Sequence, residues 1–189
     1  MALPRKPADG CFVALDFETA DHGADSACAI GLVTSRGGRI LDRQYYLIRP
    51  PRKQFFFSYI HGITWEHVKD KPTFAELWPR IEKTLNDADY LAAHNASFDK
   101  RVLGACCAAA GVAPCNRPFV CTVAVARQTW NIRPTKLNNV CDFLKIELNH
   151  HEALSDAEAC ARILIAANNA HPQKAKIAGT SSTLGGHNG

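Results

Sequence analysis

Residues 11–19, CFVALDFET, form an apolar and partly β-branched run, the pattern of a buried strand. AIGLVTSRGGRILDRQYYLIRP (29–50) reads as two further strands around a Gly37-Gly38 turn, so the chain opens with three antiparallel strands. Pro50-Pro51 ends that run, and FFFSYIHGI (55–63) reads as an aromatic-rich loop or short helix. Over 72–89, Phe74, Leu77, Trp78, Ile81 and Leu85 recur on one helical face, with Pro79 expected to kink the helix. YLAAHN (90–95) predicts a short buried strand, and 97–111 a helix capped by Ser97 and stopped by Gly111. A strand follows at 117–122, then helices at 122–130, at 135–144 with Thr135 as cap, and at 153–170. The pattern predicts an α/β fold: a mixed sheet, three antiparallel strands and then parallel ones, flanked by helices. Residues 1–10 read as a flexible lead-in, 11–170 as one folded domain, and 171–189 as a disordered tail with little to bury.

A chain of 189 residues with 47% hydrophobic and 21% charged content can build one real core. No apolar run follows the basic start MALPRKPADG, and no stretch approaches the ~20 apolar residues of a membrane span, which points to the cytoplasm. Eight cysteines occur without a C-x-x-C pair, and most lie among Ala, Val and Leu, as small reduced thiols would. Net charge is only +4, from 22 basic and 18 acidic residues. Setting aside four clustered carboxylates leaves 22 basic against 14 acidic, a positive body that suits a phosphate-rich partner.

Those four are Asp16 and Glu18 in FVALDFET, Asp99 in AAHNASFDKRVL, and Asp156, five residues after His151. Asp16 and Glu18 lie two apart on a strand, hence on one face, with Phe17 turned the other way. Buried side by side, they would raise each other's pKa unless a cation lay between them. Taken singly, Asp99 and Asp156 read as first-turn acids favoured by the helix dipole, and His151 as a surface residue beside His150. Their joint, ordered occurrence next to apolar segments points to a shared pair of divalent ions.

D-x-E-T at 16–19, H-N-A-x-F-D at 94–99 and H-x-x-x-x-D at 151–156 resemble the three motifs of the DEDDh 3′-to-5′ exonuclease family. That family includes proofreading epsilon subunits of bacterial replicative polymerases and ribonucleases of the RNase T type. I-H-G-I at 60–63, L-N-N-V-C at 137–141 and the A-x-x-D-A rhythm at 153–157 fit it too. The resemblance implies a ribonuclease H-like fold and hydrolysis of the terminal phosphodiester of single-stranded DNA or RNA 3′ ends, releasing nucleoside 5′-monophosphates. It implies two Mg²⁺ or Mn²⁺ ions held by Asp16, Glu18, Asp99 and Asp156, with His151 as general base and Glu18 in the catalytic set. It places Thr19 and Ala20 at the terminal sugar through backbone groups, and His61 near the substrate. Asn95 is expected to anchor the strand or the substrate, and Phe17, Phe98 and the 55–59 segment are candidates for base stacking. Position 20 departs from the family's D-x-E-T-G, with Ala in place of Gly, so contacts to the terminal nucleotide should be altered.

Several relatives of the RNase T type form dimers, so a homodimer is compatible with the resemblance. Epsilon subunits carry an extension that docks the polymerase and sliding clamp. The 19 residues from 171 contain no evident apolar clamp-binding peptide, which favours a stand-alone enzyme. The rival readings are a non-catalytic or polymerase-associated nucleic-acid-binding module and an RNase T or oligoribonuclease-type RNA exonuclease.

Overall fold

The computed structural model describes residues 10–170, so the readings of 1–9 and 171–189 lie outside the described residues. Five strands form one sheet: β1 (Cys11–Thr19), β2 (Ala27–Arg36), β3 (Arg39–Leu47), β4 (Tyr90–Ala93) and β5 (Phe119–Cys121). Their spatial order is β3-β2-β1-β4-β5. The β1–β2 and β2–β3 pairs are antiparallel, and the β1–β4 and β4–β5 pairs parallel. This is the mixed sheet that the strand pattern predicts.

Short helices α1 (Ser58–His61) and α2 (Trp65–Val68) follow β3, and α3 (Phe74–Asn86) leads into β4. Helix α4 (Ser97–Ala110) follows β4, and α5 (Thr122–Trp130), α6 (Leu137–Leu144) and α7 (Ala153–Ala170) follow β5. Helix α3 runs through Pro79 as one element, started by a Thr73–Glu76 capping box. Two expected caps are corrected. Ala96 is the N-cap of α4, and the Ser97 hydroxyl donates to Asn95 Oδ1 at 3.2 Å. Lys136 caps α6, while Thr135 is buried, donates to the Ile132 carbonyl and accepts from Arg127 Nε.

β1 is central and covered on both faces, which is why its apolar run is nearly unbroken. Val13, Leu15 and Phe17 enter the core shared with α3 and α4. Phe12 and Ala14 enter the core shared with α5, α6 and α7. Period-two alternation then sends Asp16 and Glu18 to the α7 side. Among the described residues all eight cysteines are free and six are buried, as the reduced-thiol reading expects. Burial pushes the thiols of Cys106 and Cys141 up to about 11 and Cys107 to about 12, which leaves them protonated and unreactive near neutrality. Among the described residues no helix is long and apolar enough to cross a membrane.

One glycine sets the approach of α7 to the sheet. Gly31 on β2 stands opposite Asp16 on β1. A Cβ there would overlap the Ala153 carbonyl and lie 2.6 Å from Leu154 Cα. The absent side chain lets the first turn of α7 settle on the strand, three residues before Asp156.

Gly31→Ala should therefore destabilise the protein by about 1–3 kcal/mol through overpacking. Gly104, inside α4 with open space around its Cα, is the control: Gly104→Ala should stabilise by about 0.5–1 kcal/mol. Urea unfolding of both variants checks the opposite signs, and a neutral Gly31→Ala would show that the close approach is dispensable.

Candidate metal and active site

Three segments bring carboxylates to the C-terminal end of β1. Asp16 and Glu18 are half-buried on its α7 face, and Asp156 is buried in the first turn of α7. Each of the three offers a carboxylate oxygen, and these oxygens lie within 4.8 Å of one another. Asp99, 1% exposed, arrives from the first turn of α4. Strand β4 ends at Ala93 and turns away at Asn95, whose φ of 66° makes the left-handed corner into α4. Beyond that turn Asp99 serves as a partner of β1, its Oδ1 accepting the Phe17 N–H at 3.2 Å.

The carboxylates are costly to ionise together. Burial raises the Asp16 pKa well above the carboxylate range, and the charges of Asp99, Asp156 and Glu18 raise it further. Glu18 is pushed to about 8, by burial and then by Asp156 and Asp99. Burial carries Asp99 to about 7 against the Phe17 N–H, which pulls it down. Burial raises Asp156 as well, opposed by His150. Such an all-oxygen donor set fits a hard divalent cation such as Mg²⁺ or Mn²⁺, whose charge would remove the repulsion.

Both histidines reach Asp156, through different groups. His150 Nδ1 lies 3.0 Å from Asp156 Oδ2, and His151 reaches the same oxygen through its backbone N–H at 3.3 Å. His151 has a φ of 69°, and its ring stacks on that of His150 with centroids 3.8 Å apart. Its pKa is lowered by burial and by His150, so the ring is neutral at physiological pH.

His61 accepts the Ile63 N–H at Nδ1 and therefore donates from Nε2 to the Thr19 carbonyl, at 3.0 and 3.2 Å. This clamp holds the α1 loop against the end of β1. The Phe56 N–H, donating to the Ala20 carbonyl at 2.7 Å, adds a second tie. Phe56 and Tyr59 on that loop stand 58% and 82% exposed.

Two expected substrate contacts are corrected. The Phe17 ring is 3% exposed within the α3–α4 core, so it cannot stack on a base. Ala20 is fully buried with Cys28, Ile63 and Val68, and its N–H is spent on the Ser26 carbonyl. Its methyl is packing, not a contact to the sugar. Thr19 is also buried, with its carbonyl taken by His61. Asn95 is exposed, while Phe98 is half-buried with the Arg101 guanidinium 5.8 Å above its ring. Arg52 is forked between Asp21 and Asp25 at 2.6–3.1 Å, and Arg127 is held by Thr135.

Sequence reasoning missed Gly31, although an isolated glycine in an apolar strand signals close backbone approach. His94, the first residue of the H-N-A-x-F-D segment, bridges Thr122 Oγ1 at 2.8 Å and the Thr135 carbonyl at 3.0 Å. No local pattern announces partners that far along the chain.

The sequence matches the family described as Exonuclease over residues 13–164. It is 35% identical to the PolC-type DNA polymerase III of Thermotoga maritima over 161 residues, 83% of this chain but only 12% of that protein. The fold matches Exonuclease X in complex with 5′-overhanging duplex DNA at a TM-score of 0.69 and 27% identity, covering 84% of this chain and 91% of that one. It also matches the nuclease domain of the DEDDh family member 3′hExo bound to rAMP, at a TM-score of 0.72 and 19% identity, with coverage of 84% and 91%. A match over that span, on this fold, makes the chain a member of the exonuclease family.

Proposed function

We propose that this chain is a metal-dependent 3′–5′ exonuclease that removes nucleoside 5′-monophosphates from single-stranded 3′ ends, acting in the cytoplasm. The observation that carries the reading is the meeting of Asp16, Glu18 and Asp156 within 4.8 Å, with Asp99 near enough for its charge to raise the pKa values of Asp16 and Glu18. Asp16, Glu18 and Asp156 would hold one Mg²⁺ or Mn²⁺, with Asp16 shared with a second ion and Asp99 completing the set. Bound there, such ions supply charge that lowers the pKa of water and stabilises a leaving 3′ oxygen.

The side chains of the protein then have defined tasks. His151, neutral and on an exposed turn, accepts the proton of the attacking water at a ring nitrogen. The water oxygen bonds to phosphorus, the bond from phosphorus to the 3′ oxygen of the preceding nucleotide breaks, and the departing nucleotide keeps a 5′-phosphate. The exposed Phe56 and Tyr59, on the loop that the Phe56 N–H ties to Ala20 and the His61 ring ties to Thr19, offer π-faces on which unpaired bases stack. Phe98 on α4 and the exposed Asn95 in the turn before it are further groups for contact with the substrate.

A second reading, an exonuclease module working within a polymerase, is supported by the likeness to the Thermotoga polymerase. Preferential removal of a mismatched over a matched 3′ terminus from a primer–template would favour it.

Three outcomes test the proposal. With a 5′-labelled single-stranded oligonucleotide and Mg²⁺ or Mn²⁺, the chain should yield a ladder shortened by single nucleotides. Asp16→Asn should abolish the ladder, and His151→Gln should slow it by ~10²–10⁴-fold. A greater loss in His150→Gln would transfer the role of base to His150. For the platform, Tyr59→Ala and Phe56→Ala should raise KM, each by a stacking loss of about 1–3 kcal/mol, with kcat held. Unchanged KM in both would remove that loop from the substrate path.

The third outcome concerns pH. A carboxylate whose pKa is raised by folding holds its proton more tightly in the folded chain than in the unfolded one. Its contribution is complete below the ordinary carboxylate range and is lost as pH rises toward about 8 for Glu18 and about 7 for Asp99. In EDTA the Tm should therefore fall between pH 5 and pH 8, and Mg²⁺ should restore it most at pH 8. A Tm in EDTA that is flat or rising over this range would contradict the electrostatics of the cluster.

A further inference from the structure

A second donor set lies beside the carboxylates and differs from them in chemistry. His150, His151 and Asp156 each present a ligand atom, and these atoms also lie within 4.8 Å of one another. Consecutive residues on an extended backbone send their side chains to opposite sides. The left-handed turn at His151 (φ 69°) instead lays the two rings together, 3.8 Å apart and 18° from parallel. Asp156 is already aligned with this pair through His150 Nδ1 and the His151 N–H. Both histidines are exposed, so an ion can reach the set from solvent.

We propose that His150, His151 and Asp156 form a binding site for a transition-metal ion of the Zn²⁺ class, competing with the all-carboxylate site for Asp156. Two imidazole nitrogens and one carboxylate oxygen, with a fourth position open to water, match the ligand preferences of Zn²⁺. Mg²⁺ demands oxygen ligands and gains nothing from the imidazoles. An ion at this set withdraws Asp156 from Asp16 and Glu18 and occupies the His151 ring. It is therefore inhibitory, a consequence that rests on the proposed function, whereas the binding itself does not.

The test uses the full chain and Zn²⁺ alone as probe. Calorimetric titration in excess Mg²⁺ should show Zn²⁺ uptake, and His150→Gln should weaken it at least ~10-fold, since losing even an outer-sphere partner of a metal ligand costs 10–100-fold. In the wild-type protein, ¹H–¹⁵N spectra of the imidazole nitrogens should show His150 and His151 shifting together on saturation. This readout needs no variant to fold and separates the site from zinc taken up by thiols. Zn²⁺ should also suppress Mg²⁺-dependent cleavage less in His150→Gln than in the wild type. Absence of Zn²⁺ uptake, equal affinity in His150→Gln, or imidazole signals that stay still would each overturn the site. Loss of cleavage under all conditions, with the imidazole shifts intact, would instead overturn the exonuclease reading.

Discussion

Asp16, Glu18, Asp99 and Asp156 cannot all carry charge in a half-dry pocket without a cation to offset them. Repulsion and desolvation act in the same direction, raising Glu18 to about 8 and Asp99 to about 7. In the folded metal-free chain these costs are offset only in part, by the Phe17 N–H on Asp99 and by His150 on Asp156. The arrangement is maintained by packing elsewhere, in the two apolar layers around β1. A surface that is stable without ligand has less to gain from binding one.

The packing that holds the carboxylates together is made mostly of small groups and backbone. Gly31 admits the first turn of α7 onto β2. The end of β4 frees the flank of β1, where Asp99 accepts the Phe17 N–H. The His61 ring and the Phe56 N–H tie the α1 loop to the same strand end through the Thr19 and Ala20 carbonyls. Farther out, Arg52 spans Asp21 and Asp25 and closes the loop between β1 and β2. These are contacts of fixed geometry, suited to a site where an ångström of slack would separate the charges.

Asp156 belongs to two donor sets at once, one of oxygens and one with imidazole nitrogens. Hard and borderline cations are thus sorted by which neighbours of a single carboxylate they prefer. The sorting depends on His150, which lies outside the spacing that links His151 to Asp156. Two residues adjacent in sequence contribute differently because a left-handed backbone turn, not their identity, aims them.

Much of the molecule was legible from the chain itself. Unbroken apolar runs marked the strands covered on both faces, and helical spacing in 72–89 marked α3, because burial imposes those periods locally. Spacing by two put Asp16 and Glu18 on one face, and three ordered motifs pointed to the family. Other features depend on partners remote in sequence. Phe17 and Ala20 lie beside the reactive residues in sequence but are turned inward by strand alternation and by the bulge after Glu18. The pairing of Arg52 with Asp21, the bond from His150 to Asp156 and the seat of α7 on Gly31 all join segments separated along the chain. Residue type and spacing state what a side chain can do. Only the closing of the sheet and the docking of α7 decide which groups are close enough to do it, because Coulomb interactions, hydrogen bonds and steric contacts act over a few ångströms of space, whatever the separation in sequence.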